Sequence, residues 1–294
     1  MPKNWTDTFN HWSRGPADTE ATRCENAITG IRNALAKHNA LANVDYIVFL
    51  QGSYKNRVNV RQNSDVDICV ACRDSAYRES LGTFDLKSLN LTTASYGFID
   101  FKRDVEQALS NHFPLSSVTQ GNKAFDIKAN SYRVEADVAV FFNYFAYQDN
   151  GQIISGYKMK TGDENFIVNF PDQHYANGVT KNTQTSKRYK KVVRILKNLK
   201  NLMQDEGYES ALIIPGFLLE CAAFNVPNDT YAVQDIVTLV HNIMDYIQED
   251  TNVFANPSTW TEVSGLKLLF SETQPWNQIQ LNSFIREAKG YLAK

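Results

Sequence analysis

Hydrophobic positions change their spacing several times along the chain, and each change predicts an element. The run Tyr46-Ile-Val-Phe-Leu50 is short, apolar and rich in β-branched and aromatic residues, which predicts a buried strand. Asp65-Val-Asp67, continuing into Ile68-Cys-Val70, predicts a second. On an extended segment side chains alternate, so Asp65 and Asp67 share one face while Val66 and Ile68 turn to the core. The same alternation predicts strands over 124–128 and 133–142, and a hairpin in which 152–158 and 164–169 flank Thr161-Gly-Asp163. Helical spacing is carried by Ile28, Ile31 and Leu35 within 15–39 and by Phe98, Phe101, Val105 and Leu109 within 96–111. Val192, Ile195, Leu196, Leu199 and Leu202 make the clearest apolar stripe, within 185–205. Pro215 near the start of 213–227 predicts another helix, and 230–249 and 282–293 read as further amphipathic ones. The polar text of 73–93 is expected to be a loop or weak helix. The stretch 169–182, dense in amides and Gly, is expected to be a functional loop. Trp260 and Trp276 bracket a segment that reads as core packing rather than an exposed stacking platform.

Composition narrows this picture only a little. The chain has 294 residues, of which 43% are hydrophobic and 21% charged, so it can bury a large core in one or two lobes. A net charge of −2 argues against a dedicated nucleic-acid binder. The four cysteines, Cys24, Cys69, Cys72 and Cys221, are too scattered for a disulfide framework. Cys69 and Cys72 are three apart on a strand, so they face opposite sides and read as small core residues, not a zinc or redox pair. No apolar run approaches a membrane span and the start MPKNWTDTFN lacks a signal-peptide pattern, so a cytoplasmic protein is expected, working without a membrane.

The candidate chemistry gathers around FLQGSYKNRVNVRQNSDVDICV, residues 49–70. Two carboxylates on one strand face repel, and keeping both ionised is costly without a cation. Their hard oxygen donors suit Mg²⁺, which prefers one or two carboxylates plus phosphate oxygens and water. The bend at Gly52 and Ser53 offers backbone N–H groups and a hydroxyl to a phosphate. A third acid, Asp137, sits in the apolar run 136–142, where an unpaired charge is expensive. A metal is its natural partner if this strand lies beside the Asp-x-Asp strand; a solvent-facing Asp on an edge strand is the plainer alternative, and Glu135 shares its face. The helix over 185–205 carries seven cations, from Lys187 to Lys200, without acidic partners at i+4. Several must simply be solvated, but a metal-bound triphosphate needs cations nearby.

Gly52 and Ser53 followed by Asp65-Val-Asp67 resemble the signature of polymerase-beta-like nucleotidyltransferases. The surrounding text is similar, more narrowly, to the CD-NTases, the bacterial cyclic GMP-AMP synthase-like and dinucleotide-cyclase-like enzymes of anti-phage signalling. The segments 169–182 and 213–227 extend the resemblance over most of the chain. It implies a bilobal α+β fold: a mixed-sheet catalytic lobe over 1–170 including an N-terminal spine helix, and a helical lobe over 171–294. It implies two Mg²⁺ ions, with Mn²⁺ as a substitute, held by Asp65, Asp67 and Asp137. Donor phosphates would meet Gln51, Gly52 and Ser53, together with Lys197 and, behind it, Arg194. Asn169 or Asn177 would read a base edge, although either amide could equally cap a turn. His174 is expected to orient rather than to act as a base. Gly216 stands where relatives commonly carry Ser, which puts one phosphate contact in doubt.

The implied activity is joining of NTPs, with loss of pyrophosphate, into a cyclic dinucleotide or small cyclic oligonucleotide that a separate effector protein reads. A monomer is expected. The rivals are a linear oligonucleotide synthetase, a nucleotidyltransferase acting on RNA or a small molecule, and a non-catalytic nucleotide-binding regulator. The last predicts loss of a metal carboxylate, and all three are present.

Overall fold

A computed structural model describes residues 4–15, 18–60, 65–94, 96–252, 254–255 and 257–294. In chain order it begins with α1 (Trp5–Trp12), α2 (Asp18–Ala36), β1 (Tyr46–Leu50), α3 (Gly52–Lys55), β2 (Val66–Ser80) and α4 (Phe98–His112). Then follow β3 (Val118–Gln120), β4 (Phe125–Ile127), β5 (Ala136–Tyr147), β6 (Ile153–Lys160) and β7 (Phe166–Asn169). The rest is helical: α5 (Pro171–Gln184), α6 (Tyr189–Asp205), α7 (Glu209–Ile213), α8 (Gly216–Asn225), α9 (Ile236–Asp250) and α10 (Gln278–Leu292). Two compact units result, a sheet unit of residues 17–55 and 64–171 and a helical unit of residues 1–16, 56–63 and 172–294.

Among the described residues the sheet unit holds seven strands in the order β1-β2-β5-β4-β3, with β6 also pairing β5 and then β7. Of these described strands β2 and β5 run parallel and the other pairs antiparallel, so the sheet is mixed. Strand β5 is long enough to bond β4 through its first residues and β6 through its last. The helix α2 packs against α4, β1 and β2, and α4 packs against β5. The apolar stripes predicted from the sequence make this layer: Ile28, Ile31 and Leu35 of α2, with Phe101, Val105 and Leu109 of α4, are at most 2% exposed. Cys69 and Cys72 lie fully buried on β2, and all four cysteines are free thiols.

In the helical unit one cluster gathers Phe9 of α1 with the inner faces of α6, α8, α9 and α10. The α6 stripe is fully buried at Val192, Ile195, Leu196 and Leu199. Trp260, 4% exposed, is part of that core with Val263 and Leu269, and Phe270 and Trp276 pack against it, but Leu266 and Leu268 of the segment expected to be core are 38% and 49% exposed.

Four expectations change. Of the polar text 73–93, only the first part departs from the expected loop or weak helix: β2 continues to Ser80, opposite Tyr147 of β5, with a register shift between Cys72 and Ala76, and beyond it the chain is loop with one short helical turn at Leu86–Leu89. Pairing to a long apolar neighbour overrides the polar composition of that segment. The stretch 169–182 is not a loop either; from Pro171 it is α5, with proline in the first turn, where its missing N–H costs least. The N-terminus has two helices rather than one after an arm, and α1 and α2 belong to different units. The clear helix starts at Tyr189, later than 185, because Ser186 and Lys187 adopt left-handed φ of 50° and 64°. Of the expected helix-start signal at 16–19, Pro16 and Ala17 lie outside the described residues.

Candidate active site

The parallel register sets the acids. Asp67 on β2 is the Cα partner of Asp137 on β5, and Asp126 on β4 is the partner of Asp137 on its other side. Neighbouring strands lie about 4.8 Å apart, so three carboxylates form a row across the sheet. Their flanking residues fix which way they point: Val66, Ile68, Ala136, Val138 and Ile127 are 0% exposed, leaving Asp67, Asp126 and Asp137 to the opposite, half-exposed face. Asp65, two residues before Asp67, joins that face at the entrance to the strand. Burial, and next the charges of Asp67, Asp126, Asp65 and Glu135, push the Asp137 carboxyl up to about 6. Sequence reading found Asp65, Asp67 and Asp137 but overlooked Asp126, whose signal was a lone acid between buried Phe125 and Ile127.

Beside the row is the turn that follows β1. The Gln51 N–H donates to the Asp67 carbonyl at 2.9 Å, continuing the ladder by one residue. Gly52 then turns with φ of 66° and opens the single helical turn that carries Ser53. A Cβ on Gly52 would stand 1.9 Å from Asp67 Oδ2, so only glycine fits. The carboxylate of Asp67 therefore lies directly against this bend.

Among the described residues no group of three or more His, Cys, Asp or Glu side chains stands ready to hold a metal ion. The donor set nonetheless fits a hard divalent ion. All the donors are carboxylate oxygens, gathered on one strand face, and one has its proton affinity raised by burial and like charge.

The helical unit disposes of its buried charges differently. Glu220 of α8, 3% exposed, accepts from Lys197 Nζ of α6 at 3.0 Å, and its other oxygen lies 2.8 Å from His174 Nε2 of α5. Burial alone would raise Glu220, but Lys197 and His174 outweigh it and hold the carboxyl well below its usual range. Lys197 itself is 7% exposed and paired with Glu220. Arg194 is likewise engaged, donating to the Ser13 carbonyl at 2.8 and 2.5 Å and to the Arg57 carbonyl at 2.6 Å. Asn177 donates to the carbonyls of Val263 and Ser264 at 2.9 and 3.0 Å, so its amide N–H groups brace the backbone. Gly216 opens α8 against the aliphatic stem of Lys197, where a Cβ would come within 3.4 Å of Cε. Asn169 is half-buried at the end of β7, opposite Tyr157. Glu220 was overlooked in the sequence, although a lone acid in an apolar helical run carries the same signal as Asp137.

Fold and site together describe a polymerase-beta-like nucleotidyltransferase, and comparison with known proteins gives the branch. Residues 176–293 match the cGAS/DncV-like nucleotidyltransferase C-terminal helical domain. The chain is 40% identical over 299 residues to the cyclic dipyrimidine nucleotide synthase CdnE of Legionella pneumophila, covering 100% of each. It is 36% identical to a cyclic dipurine nucleotide synthase of Elizabethkingia meningoseptica, covering 96% of each. Among solved structures, the Elizabethkingia meningoseptica CdnE with GTP and Apcpp superimposes with a TM-score of 0.81 at 34% identity, covering 98% of this chain and 99% of that one. The Rhodothermus marinus c-UMP-AMP synthase with Apcpp and Upnpp gives 0.85 at 26%, covering 98% and 96%. This chain belongs to the CD-NTase family.

Proposed function

We propose that the protein is a cyclic dinucleotide synthase that uses two pyrimidine nucleoside triphosphates. The observation that carries the reading is the register of Asp67 beside Asp137 on adjacent parallel strands, with Asp65 on the same face. These three carboxylates would hold two Mg²⁺ ions, which supply a more acidic acceptor hydroxyl and neutralise charge on the departing pyrophosphate. The backbone at Gln51, Gly52 and Ser53, with the Ser53 hydroxyl, orients the donor triphosphate so that its α-phosphorus meets the acceptor ribose oxygen. The new P–O bond forms as the bond to pyrophosphate breaks, and the hydroxyl proton leaves to solvent. A second transfer, within the linear product, closes the ring. No covalent enzyme intermediate is needed.

The choice of pyrimidines is supported by the names of the Legionella pneumophila relative and of a second cyclic dipyrimidine nucleotide synthase, from Cecembia lonarensis, 37% identical over 287 residues. Asn169 is our candidate for reading the base, since an amide presents both a donor and an acceptor to a pyrimidine edge. Release of the product to a separate effector protein, in defence against phage, completes the reading. The test is incubation with Mg²⁺ and labelled NTPs, singly and in pairs, followed by product mass. Cyclic products built from UTP and CTP are expected. Purine-only products would overturn the base assignment, and no pyrophosphate release under any combination would overturn the activity.

A further inference from the structure

A second recess lies within the sheet unit, away from the carboxylate row, and its chemistry is of the opposite sign. One wall is the face of α2 carrying Asn26, Thr29 and Asn33, at the i, i+3, i+7 spacing of one helical stripe. The other walls are His112 with Phe113, at the end of α4, and Tyr132 with Arg133, just before β5; together they enclose about 270 Å³. None of the residues lining it carries a carboxylate.

The recess is held in shape before any ligand arrives. Asn130 Oδ1 accepts from the N–H groups of Tyr132 and Arg133, which folds the loop that carries them. Asn26 Nδ2 donates to the Tyr132 carbonyl at 2.9 Å, and Arg23 Nη2 donates to the carbonyls of Asn130 and Arg133, tying that loop to α2. Gly30 in the middle of α2 lets Phe113 approach; a Cβ there would meet its ring at 3.4 Å. The Arg133 guanidinium lies 4.7 Å from the Phe113 ring centroid, stacked on one face. One of its nitrogens donates to the Lys128 carbonyl, while Nε is buried with no hydrogen-bond partner among the described residues. With Nε unpaired inside, the guanidinium is left to meet an anion through its remaining N–H groups. Burial first, and then the charges of Lys37 and Arg133, lower the His112 pKa, so the imidazole faces the recess neutral, able to donate one N–H. Tyr132, 67% exposed, adds a flat ring at the rim on which a base can stack.

We propose that this recess binds a nucleoside monophosphate, with the phosphate at Arg133 and His112, the sugar against the amides and hydroxyl of α2, and the base on Tyr132. Its volume lies just below the range of drug-sized sites, which suits a mononucleotide better than a cyclic dinucleotide. The proposal does not rest on the catalytic reading, and its test needs no turnover. The full chain carrying Asp67→Asn and Asp137→Asn, in EDTA to silence the metal site, is titrated calorimetrically with CMP, cytidine and inorganic phosphate. CMP is expected to saturate one site and to bind at least about tenfold more tightly than cytidine or phosphate alone. Arg133→Gln and Asn33→Trp are each expected to weaken CMP by about tenfold or more. Asn33 is an exposed helix residue, so its replacement blocks the recess without disturbing the core, and an unchanged Tm checks this. Absence of CMP binding, equal binding of cytidine or phosphate, or CMP affinity that survives Asn33→Trp would each overturn the proposal.

Discussion

On the sheet, every charge that moves the Asp137 proton is another carboxylate, and the group sits half-buried between fully buried Ala136 and Val138. Among the helices, Glu220 is more deeply buried still, yet Lys197 and His174 meet both of its oxygens. Like charges gathered on one face favour a cation among them; the charges at the helix junction are matched to one another. On the proposed reading, the difference separates a place that binds from a place that holds the fold together.

The contrast breaks most severely if the row is altered. Asp67→Asn is expected to lower turnover by on the order of 10³-fold or more, because metal stabilisation of the transition state contributes several kcal/mol and each 1.36 kcal/mol is tenfold. Pyrophosphate release measures it, and retained turnover with normal stability would remove Asp67 from the site. The reverse is expected of Glu220→Ala, which strands a buried ammonium and should cost about 3–5 kcal/mol in urea unfolding. Lys197→Met should act in the same way, through stability. A variant with wild-type stability and a raised KM for NTP would instead return Lys197 to the phosphates, as the resemblance implies.

Next in size is Gly52→Ala. It meets both a left-handed φ and the Asp67 carboxylate, and should cost about 1–3 kcal/mol together with most of the activity. A tolerated alanine would mean that the bend relaxes freely. The smallest expected effect is one of pH. A carboxyl whose folded-state pKa is raised binds its proton more tightly in the native protein than in the unfolded chain. Its contribution is therefore present at low pH and lost as pH rises from about 4, the unfolded value, through about 6. Asp137→Asn should accordingly stabilise the metal-free protein at pH 7.5 by about 1 kcal/mol after allowance for solvent screening. That is roughly 2–4 °C in Tm, and the gain should shrink toward pH 4. A destabilised Asp137→Asn at pH 7.5 would show that Asp137 has a compensating partner in the protein.

Much of this was legible in the sequence because strand alternation is a local rule. Asp65, Asp67 and Asp137 could each be assigned a face from their neighbours, and the apolar stripes of α2, α4 and α6 named buried residues throughout except Leu202, which is only partly buried. What failed was set by partners distant in sequence. Residues 73–80 read as a loop because their polar side chains conceal the pairing with β5, and 171–182 read as a loop because amides and Gly178 outweighed a helix-starting proline. Likewise, α6 looked like a row of free cations, because nothing in its own sequence announces that Glu220 lies 3.0 Å from Lys197 or that the Ser13 carbonyl receives Arg194. Asp126 needed the antiparallel register of β4 on β5 before it could be seen.

The account stands on the carboxylate row holding divalent ions, and counting those ions tests it most directly. Mn²⁺ is titrated by electron paramagnetic resonance into the full chain with a non-hydrolysable pyrimidine triphosphate, for the wild type and for Asp137→Asn. Two bound ions are predicted for the wild type, with at least one lost on replacing Asp137. Equal Mn²⁺ occupancy in the two proteins would contradict it.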